Sequence, residues 1–293
     1  MVGSLNALVW RAVGLTGVLV SVGLMAGCEA LSGNRGATSI LELGAPESPE
    51  EAALMAIDKY NADKRSRGTL LLANSYFGGE SIYLELYEDN VDDRDASVRA
   101  AAVRALGNHG LPEHAPLIIA RLDDDDERVR IEAARALQRV HSDDAVGPLL
   151  ERIAEPAIAV VDDVPGEADP QIRTEAASAL GQYAQPRVVE GLFRALDDRH
   201  LAVNLAARQS LRTLTGQDYG QDSAEWLAWY EKAEDPFRGR TAYVYPVFVR
   251  GKRLVEFFPF APPPPNEAAS TPVGMPPIRR GGSPTPTPPS ADN

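Results

Sequence analysis

The chain has 293 residues, with 42 carboxylates against 29 lysines and arginines and a formal net charge of −13. That excess of negative charge repels a phosphate backbone, so no nucleic acid is expected as a partner. Apolar residues make up 44 % of the chain, enough for a core, while its single cysteine excludes an intrachain disulfide and a cysteine-based metal site.

Residues 1–27 read as a leader. Arg11 is the only charge before Glu29, and Ala12 to Ala26 is an uncharged, mostly apolar stretch. About fifteen residues suit a secretory apolar region and fall short of the roughly 20 that cross a bilayer. The stretch ends in Leu24-Met25-Ala26-Gly27-Cys28. Small residues at the two positions before a Cys, after an apolar run, resemble the lipobox of bacterial lipoproteins. That family prefers Leu three places before the Cys, where this chain has Met25 with Leu24 one place earlier. The resemblance implies cleavage before Cys28, a diacylglycerol on its thiol, and a mature chain that hangs from a membrane by lipid. An uncleaved anchor helix with an incidental Cys is the alternative. Glu29 follows the Cys where an Asp would imply inner-membrane retention in some bacteria, so a periplasm-facing place on the outer membrane of the cell envelope is expected. Residues 28–49 are polar and predict a flexible tether.

Residues 50–233 repeat themselves. Asp95-Ala-Ser-Val98-Arg99, Asp126-Glu-Arg-Val129-Arg130 and Asp169-Pro-Gln-Ile172-Arg173 each continue into x-x-Ala-x-x-Ala-Leu. Val98 to Val129 and Ile172 to Val203 are 31 residues apart, and Val129 to Ile172 is 43, one period plus 12. Val98, Ala101, Ala102, Ala105 and Leu106 form one apolar helical stripe. Each Asp stands at the helix start, where a carboxylate caps free N–H groups, and Gly107 and Gly181 stand where a helix can stop. A second apolar helix follows in every unit, over Pro116–Leu122, Val146–Ile153 and Val188–Leu196. Asp63 and Arg67 mark a degenerate first copy, and His200 and Asn204 replace Asp and Arg in the last.

This pattern resembles the HEAT repeats, in the short bacterial form related to phycobilin lyases. It implies an all-α fold, an α-solenoid of about five helix pairs, with a small C-terminal β-hairpin and disordered ends. By the same resemblance the second helices, near Glu113–Arg121, Asp144–Arg152 and Arg187–Arg194, line a binding face. Leu214 to Asp222 and the helix bearing Trp226 and Trp229 resemble the closing segment of such proteins, with the Trp pair as a lid on the last core face.

Asp95, Asp126 and Asp169 read as helix caps, and Arg99, Arg130 and Arg173 as a structural ladder pairing within a repeat or with the next repeat's loop. The run Asp123–Glu127 lacks calcium-loop spacing, and His109, His114, His141 and His200 lack zinc spacing, so no metal is expected. No phosphate loop, nucleophile elbow or His-Glu-x-x-His motif is present, so no catalytic residue and no cofactor are expected. The insert Glu155–Ala168 is either packed on its own repeat or part of a binding surface.

Residues 234–260 are aromatic, β-branched and basic, carrying Arg238, Arg240, Arg250, Lys252 and Arg253. They predict two short strands about Gly251. Residues 261–293 hold eleven prolines in 33 residues, a composition that predicts an extended, disordered tail. The expected function is a membrane-tethered scaffold, not an enzyme, that binds a protein partner of unread identity. The alternatives are an envelope protein contacting the cell wall, and a lyase-like enzyme.

Overall fold

The computed structural model describes residues 48–154, 167–245 and 269–277. The leader, Cys28, most of the tether and of the insert, and residues 246–268 and 278–293 lie outside that set. The described chain is helical: α1 (Pro49–Ala56), α2 (Ala62–Ala73), α3 (Ser81–Asn90), α4 (Ala96–His109), α5 (Ala115–Ala120), α6 (Glu127–Ala136), α7 (Val146–Arg152), α8 (Pro170–Leu180), α9 (Pro186–Leu196), α10 (Leu201–Thr215) and α11 (Ser223–Tyr230). After α1 these form five pairs. The first helices, α2, α4, α6, α8 and α10, stack directly on one another, and the second helices pack beside them. This is the α-solenoid that the 31-residue period predicts. No described helix is long and apolar enough to cross a membrane.

Capping residues start the first helices. The side chains of Asp95, Asp126 and Asp169 accept the N–H of Ser97 (2.8 Å), Arg128 (2.9 Å) and Gln171 (2.6 Å). Asn61 does the same for α2, accepting from Lys64 at 3.1 Å. The apolar stripe lies inward: Val98, Ala102, Ala105 and Leu106 are fully buried, as are their counterparts in α6 and α8. α8 ends at Gly181, whereas α4 runs through Gly107 to His109. Gly107 serves packing instead of termination. A Cβ there would meet Ala136 Cβ at 2.8 Å and its Cα at 2.9 Å, so the missing side chain sets how closely α4 approaches α6.

The closing helix caps the stack. Trp226 is fully buried and donates its indole N–H to the Gly220 carbonyl at 3.0 Å. It packs among Phe193, Tyr219 and Trp229, and Trp229 is only partly buried.

The turn at Gly251 and the second strand of the expected C-terminal hairpin lie outside the described residues, and what is described gives it no support. Residues 234–245 contain no strand. The Thr241 N–H donates to the Thr213 carbonyl at the end of α10 (2.8 Å), so its partner is a helix end and no sister strand. Residues 269–277, inside the Pro-rich tail, also meet the solenoid: Val273 forms an isolated parallel bridge with Val140.

Replacing Gly107 with Val pushes α4 off α6, and a loss of about 1–3 kcal/mol is expected in urea denaturation. Gly147 has open space around its Cβ position, so Gly147→Ala is expected to gain up to ~1 kcal/mol from helix propensity. Equal midpoints for the two variants would refute the close-approach role of Gly107.

Candidate functional site

The ladder arginines reach forward to the next repeat's loop, and their partner is a residue the period alone does not mark. Arg99 Nε and Nη2 donate to the two oxygens of Asp124 at 2.8 and 2.6 Å. Arg130 holds Glu167 at 3.0 and 3.3 Å, and Arg173 holds Asp198 at 2.7 and 3.2 Å. In the first repeat Arg65, not Arg67, pairs with Asp93 at 2.8 and 2.9 Å. Each of these acids stands two residues before the next helix cap. Each also accepts the backbone N–H of that cap residue: Asp95, Asp126, Asp169 and His200, at 2.8 to 3.0 Å. The remaining guanidinium nitrogen turns backward to loop carbonyls, as Arg99 Nη1 does to Asp93 and Arg173 Nη1 to Glu167. One arginine thus spans two inter-repeat loops with a planar five-donor fork that lysine lacks.

The clasp is shielded from water. Arg173 is 0 % exposed and its partner's side chain 2 %. Burial pulls the carboxyls of Asp93, Asp124 and Asp198 upward, but hydrogen bonds from the arginines and cap N–H groups outweigh it and hold each below the usual carboxylate range. In the last repeat Asn204 replaces arginine and donates to the carbonyls of Leu196 and Asp198.

Two further arrays went unseen in the sequence. Arg121 and Arg152, 31 residues apart at the ends of the second helices, add ion pairs to the same loops, with Asp92 and Asp123 respectively. Across the first helices, Arg104 pairs with Glu132, and Arg135 bridges Glu132 and Glu175. Within the acidic run, Asp123 and Asp124 are taken up by these contacts and Asp126 by the cap. Among the described residues no group of His, Cys, Asp and Glu is arranged to hold a metal. His109 bonds the Ala73 carbonyl at 2.9 Å, and His141 bonds Gln182 at 2.9 Å, so both brace neighbouring repeats.

What remains outward on the second helices is a set of rows in repeat register. Glu113, Asp144 and Arg187 form one row; Ala120, Glu151 and Arg194 form another; all six are exposed. These rows fall within the three ranges expected to line a binding face. Their charge runs from acidic in the middle repeats to basic on α9.

Removing one partner of a buried pair strands the other charge. Asp198→Ala is expected to cost about 3–5 kcal/mol, and Asp93→Ala, beside the more exposed Arg65, about 1 kcal/mol. Similar losses in urea titrations would refute burial as the deciding factor. The lowered carboxyl values also set an acid limit. The unfolded chain takes up protons first as pH falls, so the clasps of Asp93, Asp124 and Asp198 contribute fully above about pH 5 and fail progressively below about pH 4. A melting temperature unchanged between pH 6 and pH 3 would contradict this.

A family model for HEAT repeats matches residues 85–164. The uncharacterized phycocyanin operon protein Z of Pseudanabaena tenuis is 30 % identical over 184 residues, covering 61 % of this chain and 84 % of that protein. Among solved structures, the chain is similar to the complex of CpcE and CpcF of phycocyanin lyase from Nostoc sp., with 21 % identity, 70 % of this chain and 76 % of that chain covered, and a TM-score of 0.49. It is also similar to a designed armadillo repeat protein, with 16 % identity, 64 % and 93 % covered, and a TM-score of 0.44. With its helix pairs, its 31-residue register and an identity that spans most of the Pseudanabaena protein, the chain belongs to the HEAT-repeat family that includes that relative.

Proposed function

We propose that this HEAT-repeat protein is a scaffold that holds a protein partner at the cell envelope, tethered through an acyl chain on Cys28. One observation carries the binding reading: the buried charges Arg173, Asp198, Glu132 and Glu167 are all tied to neighbouring repeats. Charge that bonds repeat to repeat builds a rigid support, and the exposed rows of the second helices are left to meet another molecule. Solenoids gain affinity in this way, from side chains spread over several repeats. The tether rests on the uncharged stretch that ends at Cys28 and on the small residues Ala26 and Gly27 before it. With Glu29 next to the Cys, the outer membrane is its proposed address.

A second reading has one observation in its favour, the name of the Pseudanabaena relative, which ties that protein to a phycocyanin operon. On that reading the partner is a phycocyanin subunit and the scaffold belongs to a lyase-like activity.

Both tether and partner are tested in one experiment on the membrane-extracted full chain. A photo-cross-linker at Glu151 or Glu190 on the second helices is expected to give a discrete protein adduct, and one at Glu127 on a first helix is not. Intact mass of the same material is expected to show acyl chains on Cys28, and Cys28→Ser to move the protein to the soluble fraction. Equal adducts from both helix sets would remove the binding face; an unmodified Cys28 would remove the tether. An adduct with a phycocyanin subunit would favour the second reading.

A further inference from the structure

The turns that join first to second helices line one edge of the solenoid, and two described stretches of the C-terminal chain meet backbone groups there. Thr241 N–H donates to the Thr213 carbonyl at 2.8 Å, and Val273 N–H donates to the Arg139 carbonyl at 2.7 Å. Arg139 and Thr213 are the same position in two repeats, separated by one period of 43 and one of 31. Carbonyls at a helix end have no partner within the helix, so these two repeats each present an acceptor there to the C-terminal chain. At Arg139 the match is fuller, because His141 N–H returns a bond to the Val273 carbonyl at 2.9 Å, completing one parallel rung with Val140.

The residues around that rung are read individually. Pro272 is buried. Gly274 has φ +83°, and a Cβ there would lie 2.6 Å from Pro112 Cγ, so a side chain is refused both by the backbone and by the wall. Between them Val273 is exposed and contributes its backbone. The flanking Ser270, Thr271, Pro276 and Pro277 are exposed as well, and residues 269–277 carry no charge. The arm is thus held by one buried ring, by the two hydrogen bonds of the rung, and by the Tyr245 N–H, which donates to the Ser270 carbonyl at 3.3 Å; Tyr243 upstream is buried. Adding an extended segment to exposed backbone groups, with pockets for alternate residues, is a general mode of peptide recognition.

We propose that the Val140 turn, with Arg139, His141 and Pro112, is a binding site for an uncharged extended peptide of the form Pro-x-Gly, and that residues 269–277 occupy it in cis as a displaceable arm. A partner bearing that motif docks by replacing the arm, and the tethered copy sets the threshold it must exceed. This site adjoins the Glu113 and Asp144 end of the outward rows but takes its ligand through backbone groups, and it stands independently of the tether at Cys28 and of the partner proposed above.

The test uses the full chain and a fluorescent synthetic peptide with the sequence of residues 269–277. In the full chain, Gly274→Val ejects the arm, which hydrogen exchange reads as lost protection at the His141 amide. The peptide is expected to bind that variant at least about tenfold more tightly than the unaltered protein, because the cis competitor is gone. A peptide carrying the same Gly274→Val change is expected to bind the variant at least about tenfold more weakly, which separates recognition from any folding defect. The proposal is overturned by equal affinity for both proteins, by equal affinity of both peptides, by no binding to either protein, or by an unchanged His141 amide.

Discussion

A guanidinium cannot be left in a protein interior without partners, and this requirement organises the solenoid. Arg173 has no exposed surface, yet its donors reach one carboxylate ahead and two carbonyls behind. Taking the ion pair out of water costs several kcal/mol per charge, so the clasp is weak evidence for net stability. Its stronger effect is on register. The fork fits only when the acid two places before the next cap lies at one height, so each arginine measures the step from its own repeat to the next. The same acid fixes the start of the following helix through the cap residue's N–H. Spacing and helix initiation are therefore set by one carboxylate.

Much of this was legible. The 31-residue period, the capping aspartates and the apolar stripe are all local and repeated, and the helix pairs follow from them. The partner acids were as visible as the arginines, since Asp93, Asp124, Glu167 and Asp198 all precede a cap position by two. They were missed because the capping aspartate already offered each arginine a plausible partner at i+4, and sequence spacing cannot show that the fork points to the next loop. Gly107 misled for a related reason. A glycine near a helix end reads as a terminator, whereas its use here is to admit Ala136, a contact between residues 29 apart.

The C-terminal stretch shows the limit of composition. Val, Thr and Tyr favour an extended backbone, but the acceptor that Thr241 finds is a helix-end carbonyl that no strand signal announces. The Pro-rich segment lacks side chains for a core of its own. Its described residues, 269–277, meet the solenoid chiefly through peptide groups, and composition does not count peptide groups. The second helices gave a clearer result: the period alone brings Glu113, Asp144 and Arg187 to equivalent places, and all three are exposed, whereas the equally periodic ladder arginines turn inward because each finds a carboxylate.

The link between Arg130 and Glu167 carries a lesson about architecture under insertion. Twelve residues beyond one period separate these repeats, yet Glu167 and Asp169 stand in the same relation as Asp93 and Asp95. The clasp consults only the last few residues before a helix and is indifferent to how much chain precedes them. The junction ahead of Glu167 therefore already carries twelve extra residues without loss of the clasp, and foreign loops grafted there would inherit a seam whose alignment the downstream repeat restores.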